Sequence, residues 1–400
     1  MSAGWLFVDG GVNGVLDRWL GSLGGVGVSC FFVLCGVVLV WSVREGDRVV
    51  LFWRRRFMKI YPNHVVVWVA GVGLAWGAGQ ALSVGGVVPG LLLVNAWFPE
   101  YEVIRGVNGA AWSLGVELVF YALFPLLWVW VRRVRVSGLW VVAGVMVAGM
   151  AVVAVVAEVW LPREVLPGLR YGWWQFWLVY FVPVSRLFEF VLGMVVARLV
   201  AGGRFPRVPW WVAVGAVVAG YGLVLVIPGV FGLVLPVVVP LCLVVVWGAQ
   251  ADVEGRSGWL ARGWMVRLGE ISFAFYILHM VVGYYGPARF GSGRQWGAGE
   301  AVARIGGWFA LTLVLAWVLY RVVELPAMRR WSRPRRAVAG ARSVIVAGSG
   351  PGAVPVPVSV SPAGAPAAVA VPSAAGEASG PVSGPGGAAE EGVPGPESGR

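Results

Sequence analysis

Apolar positions between residues 26 and 323 gather into long runs separated by short polar or basic segments. The runs fall at about 26–43, 64–84, 112–131, 139–160, 182–199, 210–227, 229–248, 268–286 and 303–323. Each approaches the roughly 20 residues that a helix needs to cross bilayer hydrocarbon. Backbone groups find no water there, so such runs must close their own hydrogen bonds as helices. One further run, Val87–Phe98, is interrupted by Pro89 and is too short for a crossing. The pattern predicts an all-α, polytopic transmembrane helical bundle with about nine crossings and one re-entrant segment at Val87–Phe98.

The placement of cations sets the expected orientation. If Val87–Phe98 dips in and returns, the basic segments alternate with the others, 21 Lys and Arg on one side against 6 on the other. The richer side is the cytoplasmic one by the positive-inside rule. This threading predicts a plasma-membrane protein with an external N-terminal segment over residues 1–25 and a cytoplasmic C-terminus. After Arg342 the chain turns to Pro, Ala, Gly, Ser and Val, and Trp331 is its last aromatic residue. Such a composition buries too little apolar surface to offset ordering entropy, which predicts a basic, then disordered tail over 331–400.

Composition agrees with this reading. The chain is 59% hydrophobic, contains 24 Trp, and carries 12% charged residues against about 25% in soluble domains. Its net charge of +12 comes from short loops between apolar runs, a topogenic pattern rather than a nucleic-acid surface. No CxxC or Cys/His cluster accompanies Cys30, Cys35 and Cys242, so no metal site is expected and the three read as buried apolar side chains.

Polar residues inside the apolar runs are the candidates for chemistry, because placing them there is costly. Arg54, Arg55, Arg56 and Lys59 lie in a basic loop over 44–63. That loop reads either as a topological anchor or as a cradle for phosphates, which guanidinium groups match well. In the stretch Trp112–Tyr121, Glu117 has Ser113 and Tyr121 four residues to either side, on one helix face. A carboxylate there reads as a general base or as a structural hydrogen-bonding group. Ser272, Tyr276 and His279 share another helix face. Arg186 and Glu189 are spaced to pair with each other, and Glu324-Leu-Pro326 reads as a structural end to the last run. Cys35 has no base or cation close in sequence to activate it, and His64 is left unassigned.

Taken in series, these stretches resemble the acyltransferase-3 family of bacterial integral-membrane O-acyltransferases. The resemblance rests on Phe31–Gly36, Arg54–Pro62, Trp112–Glu117, Phe188–Met194, Gly269–His279 and Val323–Pro326, in the family's order over residues 26–330. Cys35 stands where the family has Ser, Lys59 where a second Arg is usual, Val37 where Phe is common and Phe273 where Tyr is common. The family's first helix, with its Arg and essential His, finds no motif match before Val26, so that helix is expected to be absent. The resemblance implies transfer of a small acyl group, acetyl first, from cytoplasmic acyl-CoA as co-substrate, with no bound cofactor. The implied acceptor is a hydroxyl on a cell-surface glycan, a lipid or a secondary metabolite. Glu117 and His279 would be catalytic; Arg54, Arg55, Arg56, Lys59, Trp112, Ser113 and Tyr276 would bind substrate. The alternatives are a transporter or flippase without chemistry, and an inactive truncated paralogue. A transporter predicts paired repeats around broken helices, and no convincing repeat is present in the sequence.

Overall fold

The computed structural model describes residues 19, 21–43, 46, 48–166, 169–256, 258, 261–291 and 296–331. Most of the expected N-terminal segment and the tail beyond Trp331 therefore lie outside the described residues. In chain order the α-helices are α1 (Leu23–Trp41), α2 (Val49–Gly77), α3 (Val84–Leu91), α4 (Tyr101–Arg105), α5 (Ala111–Arg133) and α6 (Leu139–Trp160). They are followed by α7 (Trp173–Phe176), α8 (Pro183–Ala201), α9 (Trp210–Val226), α10 (Leu235–Val253), α11 (Gly263–Gly291), α12 (Ala298–Leu319) and α13 (Leu325–Trp331). Wider π-turns join α7 to α8 at Trp177–Phe181 and α12 to α13 at Tyr320–Glu324. The second lies just before Pro326, whose ring would crowd the Val322 carbonyl in an ordinary helical turn.

Among the described residues, seven helical stretches are long and apolar enough to cross a membrane. They coincide with seven of the expected runs. Large apolar side chains point outward where lipid would lie: Trp160 is 76% exposed and Val141 68%. The molecule is an all-α, multi-pass membrane protein.

Two expected runs behave differently. The run at 210–227 is the 17-residue helix α9. The run at 64–84 is the second half of α2, a continuous 29-residue helix that also contains the basic stretch expected as a loop. Pro62 does not stop it. Proline is tolerated in membrane helices when neighbouring groups support the interrupted turn, and here the residues after it are anchored. Asn63 Nδ2 donates to Glu324 Oε2 at 2.8 Å, and His64 Nε2 lies 3.0 Å from the Gly90 carbonyl. Val87–Phe98 becomes the short helix α3 and a 3₁₀ turn at Asn95–Trp97, each too short to cross.

The core that positions the site lies where α1 packs between α5 and α8. Phe32, Phe120 and Phe190, one from each helix, are fully buried. Phe120 stacks on Phe190 with centroids 4.6 Å apart, and Phe32 meets Phe120 edge-on at 5.1 Å. Helices in lipid associate through such close packing rather than through a hydrophobic drive. One turn on from Phe32, Gly36 meets Gly193 of α8, and the two helices touch backbone to backbone. A Cβ on Gly36 would lie 2.1 Å from the Phe190 carbonyl oxygen, and one on Gly193 2.1 Å from that of Val33. A second close approach seats Leu93 against α5: its carbonyl oxygen would lie 2.3 Å from a Cβ on Gly115. Leu93 holds a left-handed φ of 58° to reach that position.

Candidate active site

Helical geometry disperses the basic stretch. Successive residues turn by roughly 100°, so the four cations of α2 cannot share one face. Arg54 lies over the Trp331 ring at 6.0 Å, against α13. Arg56 points the other way: it donates to Ser42 Oγ at 2.8 Å and lies over Phe52 and Tyr121 at 5.6 and 5.5 Å. Lys59 follows one turn on, on the same side of α2 as Arg56. Arg55 is half-buried on the same helix. The structure thus directs Arg56 toward Tyr121, the partner of the expected carboxylate, and turns Arg54 toward the last helix.

Glu117 is 4% exposed and sits on α5 among α1, α2 and α5. The expected i, i+4 neighbour is in contact, since the Tyr121 hydroxyl donates to Glu117 Oε1. A second donor comes from 82 residues away: the Cys35 thiol lies 3.9 Å from the same oxygen. Glu117 Oε2 is buried with no hydrogen-bond partner among the described residues. Cys35, expected as a buried side chain, thus also meets a carboxylate from another helix. It is half-buried and faces that carboxylate. Sequence spacing held no signal for this, because the base arrives from another helix.

One turn farther from the basic end, Ser113 Oγ donates to the Ala110 carbonyl at 3.0 Å. Its proton is thereby committed, so the Tyr276 hydroxyl, 2.6 Å away, donates to Ser113. Phe31 of α1 stacks on Tyr276 at 6.2 Å and closes this layer. His279 follows on α11. Its Nδ1 meets the Tyr276 carbonyl, which can only accept, so Nδ1 carries the proton and Nε2 is the bare nitrogen. Ser272 does not join the stripe: it is exposed and donates to the Gly269 carbonyl at 2.7 Å. Trp112 is buried among Phe32, Tyr180 and Phe181, with centroids 4.8–6.1 Å away, and forms a wall of the core.

The remaining intramembrane polar residues are tied into the frame. Arg186 reaches Glu189 at 3.4 Å and donates to Ser29 Oγ at 3.2 Å, under Phe32 and Tyr180. A feature with little trace in the sequence pattern lies at the basic end: a groove of about 690 Å³ between α11 and the last helices. Arg267, Glu270, Tyr320, Arg321 and Arg329 line it. The one hint in the sequence was Arg321, an unexplained cation inside the last apolar run.

An acyltransferase domain of the acyltransferase-3 family matches residues 3–321, including much of the N-terminal stretch in which the motifs found no counterpart. The chain belongs to the acyltransferase-3 family. It is 40% identical over 331 residues to the acyltransferase MdmB of Streptomyces mycarofaciens, covering 80% of this chain and 84% of that one. It is 28% identical over 337 residues to the exopolysaccharide production protein ExoZ of Rhizobium meliloti (strain 1021), covering 80% and 94%. No solved structure matches it. This acyltransferase-3 protein is thus a membrane-bound enzyme of acyl transfer, and the residues gathered around Glu117 are its candidate chemistry.

Proposed function

We propose that the protein moves a small acyl group, acetyl in the simplest case, from cytoplasmic acyl-CoA to a hydroxyl acceptor, with its basic end facing the cytoplasm. In this reading the chain crosses the plasma membrane nine times, Val87–Phe98 re-enters without crossing, and the C-terminus is cytoplasmic. One observation carries the proposal. Two sets of polar groups, Arg56–Tyr121–Glu117 and Ser113–Tyr276–His279, follow one another along one face of α5, with Ser113 and Glu117 a turn apart. Such a succession gives an acyl unit a path through the bundle that a highly charged CoA could not take.

Arg56 and Lys59 hold phosphate groups of the donor, and Arg54 and Arg55 extend the cation field across the mouth. The groove lined by Arg267, Arg321 and Arg329 opens at the same end and offers further guanidinium groups to the nucleotide part. Glu117 removes a proton during transfer, while Nε2 of His279 takes the proton of the acceptor hydroxyl as it attacks. Ser113 and Tyr276 orient the group in passage, and Trp112 supports them as a rigid wall. Similarity to an exopolysaccharide production protein favours a glycan among the acceptors the sequence allows; a lipid or secondary metabolite would present the same hydroxyl chemistry.

Replacing Arg56 by Ala should abolish acyl-CoA binding, read by calorimetry on detergent-purified protein. Normal affinity in that variant would remove the basic end as the donor site.

A further inference from the structure

The thiol of Cys35 is the one classical nucleophile in contact with Glu117. It lies on α1 between residues that contact the two polar sets. Phe31, one turn before it, stacks on Tyr276; Ser42, seven residues after it and about 10 Å along the helix, accepts from Arg56. The neighbouring carboxylate is 96% buried by its 4% exposure, and its Oε2 has no partner among the described residues. Glu189 likewise has unbonded oxygens, but it faces Arg186 at 3.4 Å, whereas no cation among the described residues forms an ion pair with Glu117, whose free oxygen is accounted for if it serves a proton or a reacting group during turnover. The other two cysteines stand elsewhere, around Glu189 rather than Glu117.

We infer that Cys35 carries the acyl group through the membrane as a thioester, with Glu117 as its base. The inference rests on acyl-CoA being the donor. In the first step Glu117 takes the Cys35 proton as the sulfur attacks the donor carbonyl. The carbon–sulfur bond to CoA breaks, a carbon–sulfur bond to Cys35 forms, and the proton passes to the departing CoA sulfur. One thioester replaces another, so no oxidant, reductant or energy source is needed. Glu117 takes the proton as the new carbon–sulfur bond forms, so no free thiolate has to exist in this buried site. In the second step the acceptor hydroxyl attacks the Cys35 thioester. A carbon–oxygen bond forms, the bond to Cys35 breaks, and the hydroxyl proton returns to the sulfur through His279 or Glu117. Conversion of a thioester to an oxygen ester drives this step forward.

The test uses the full chain in membranes with Cys30 and Cys242 both replaced by Ala, leaving Cys35 as the sole thiol. Radiolabelled acetyl-CoA is supplied without acceptor, and the protein is denatured and separated on a gel. The expected result is label on the chain that neutral hydroxylamine releases. Cys35→Ala should carry no label and lose transfer, while binding acetyl-CoA as the parent does. Cys35→Ser, which preserves side-chain volume, should hold label that neutral hydroxylamine does not release. Acetyl-CoA should also protect Cys35 in the sole-thiol protein from a maleimide. Undiminished transfer by Cys35→Ala, or an unlabelled sole-thiol protein that still consumes acetyl-CoA, would overturn the thioester and leave the donor assignment standing. A parental protein that neither binds nor consumes acetyl-CoA would overturn both.

Discussion

Glu117 and Glu189 are both buried in this bundle, and they are handled in opposite ways. Glu189 lies three residues from Arg186 on the same helix, 3.4 Å from its guanidinium, with Ser29 on the cation's other side. Its charge is neutralised locally, within α8 and the face of α1 that α8 covers. Glu117 has no cation in contact. Its nearest partners are two acidic hydrogens, on Tyr121 and Cys35, from different helices. A charge cancelled inside one helix fixes packing; a carboxylate facing labile protons across a helix junction is available for proton transfer.

The sharpest test of that contrast is Glu117→Gln. The amide keeps the shape and loses the base, so transfer should fall by a factor on the order of 10² or more, with detergent melting close to the parent. A variant with half the parental rate would make Glu117 another packing residue. Glu189→Gln should show the reverse pattern. It strands Arg186 without its anion, at a cost of about 3–5 kcal/mol, seen as a lower melting point and yield with unchanged rate per folded molecule. The double replacement Arg186→Met with Glu189→Leu should recover much of that loss. Gly36→Ala, at the contact of α1 with α8, should destabilise by about 1–3 kcal/mol through overpacking against the Phe190 carbonyl. The smallest effect belongs to Trp53→Phe, which removes the 2.9 Å hydrogen bond from its indole to the Tyr121 carbonyl. That loss should be about 1 kcal/mol, and transfer should persist.

Much of the frame was legible in the sequence because it is local. Seven apolar runs became helices, and the i, i+3 and i, i+4 relations of Arg186 with Glu189 and Glu117 with Tyr121 became contacts. Helical period alone supplies those pairs. What the sequence withheld is non-local. The Cys35 contact spans 82 residues and that of Tyr276 with Ser113 spans 163, and nothing in the spacing along either helix announces its partner. Pro62 misled in another way. It reads as a helix end in water, yet with Asn63 and His64 anchored beside it the helix runs through, and the basic stretch inherits a helical rotation that separates Arg54 from Arg56.

The paired glycines of α1 and α8 carry one more consequence. Where main chains lie against each other with no side chains between them, neither helix can slide or roll without a collision, so the two act as a single stiff keel. Any opening and closing that admits donor at one side and acceptor at the other must be executed by helices outside that pair. The thiol on α1 and the ion pair at the α1–α8 junction then stay in fixed register with each other.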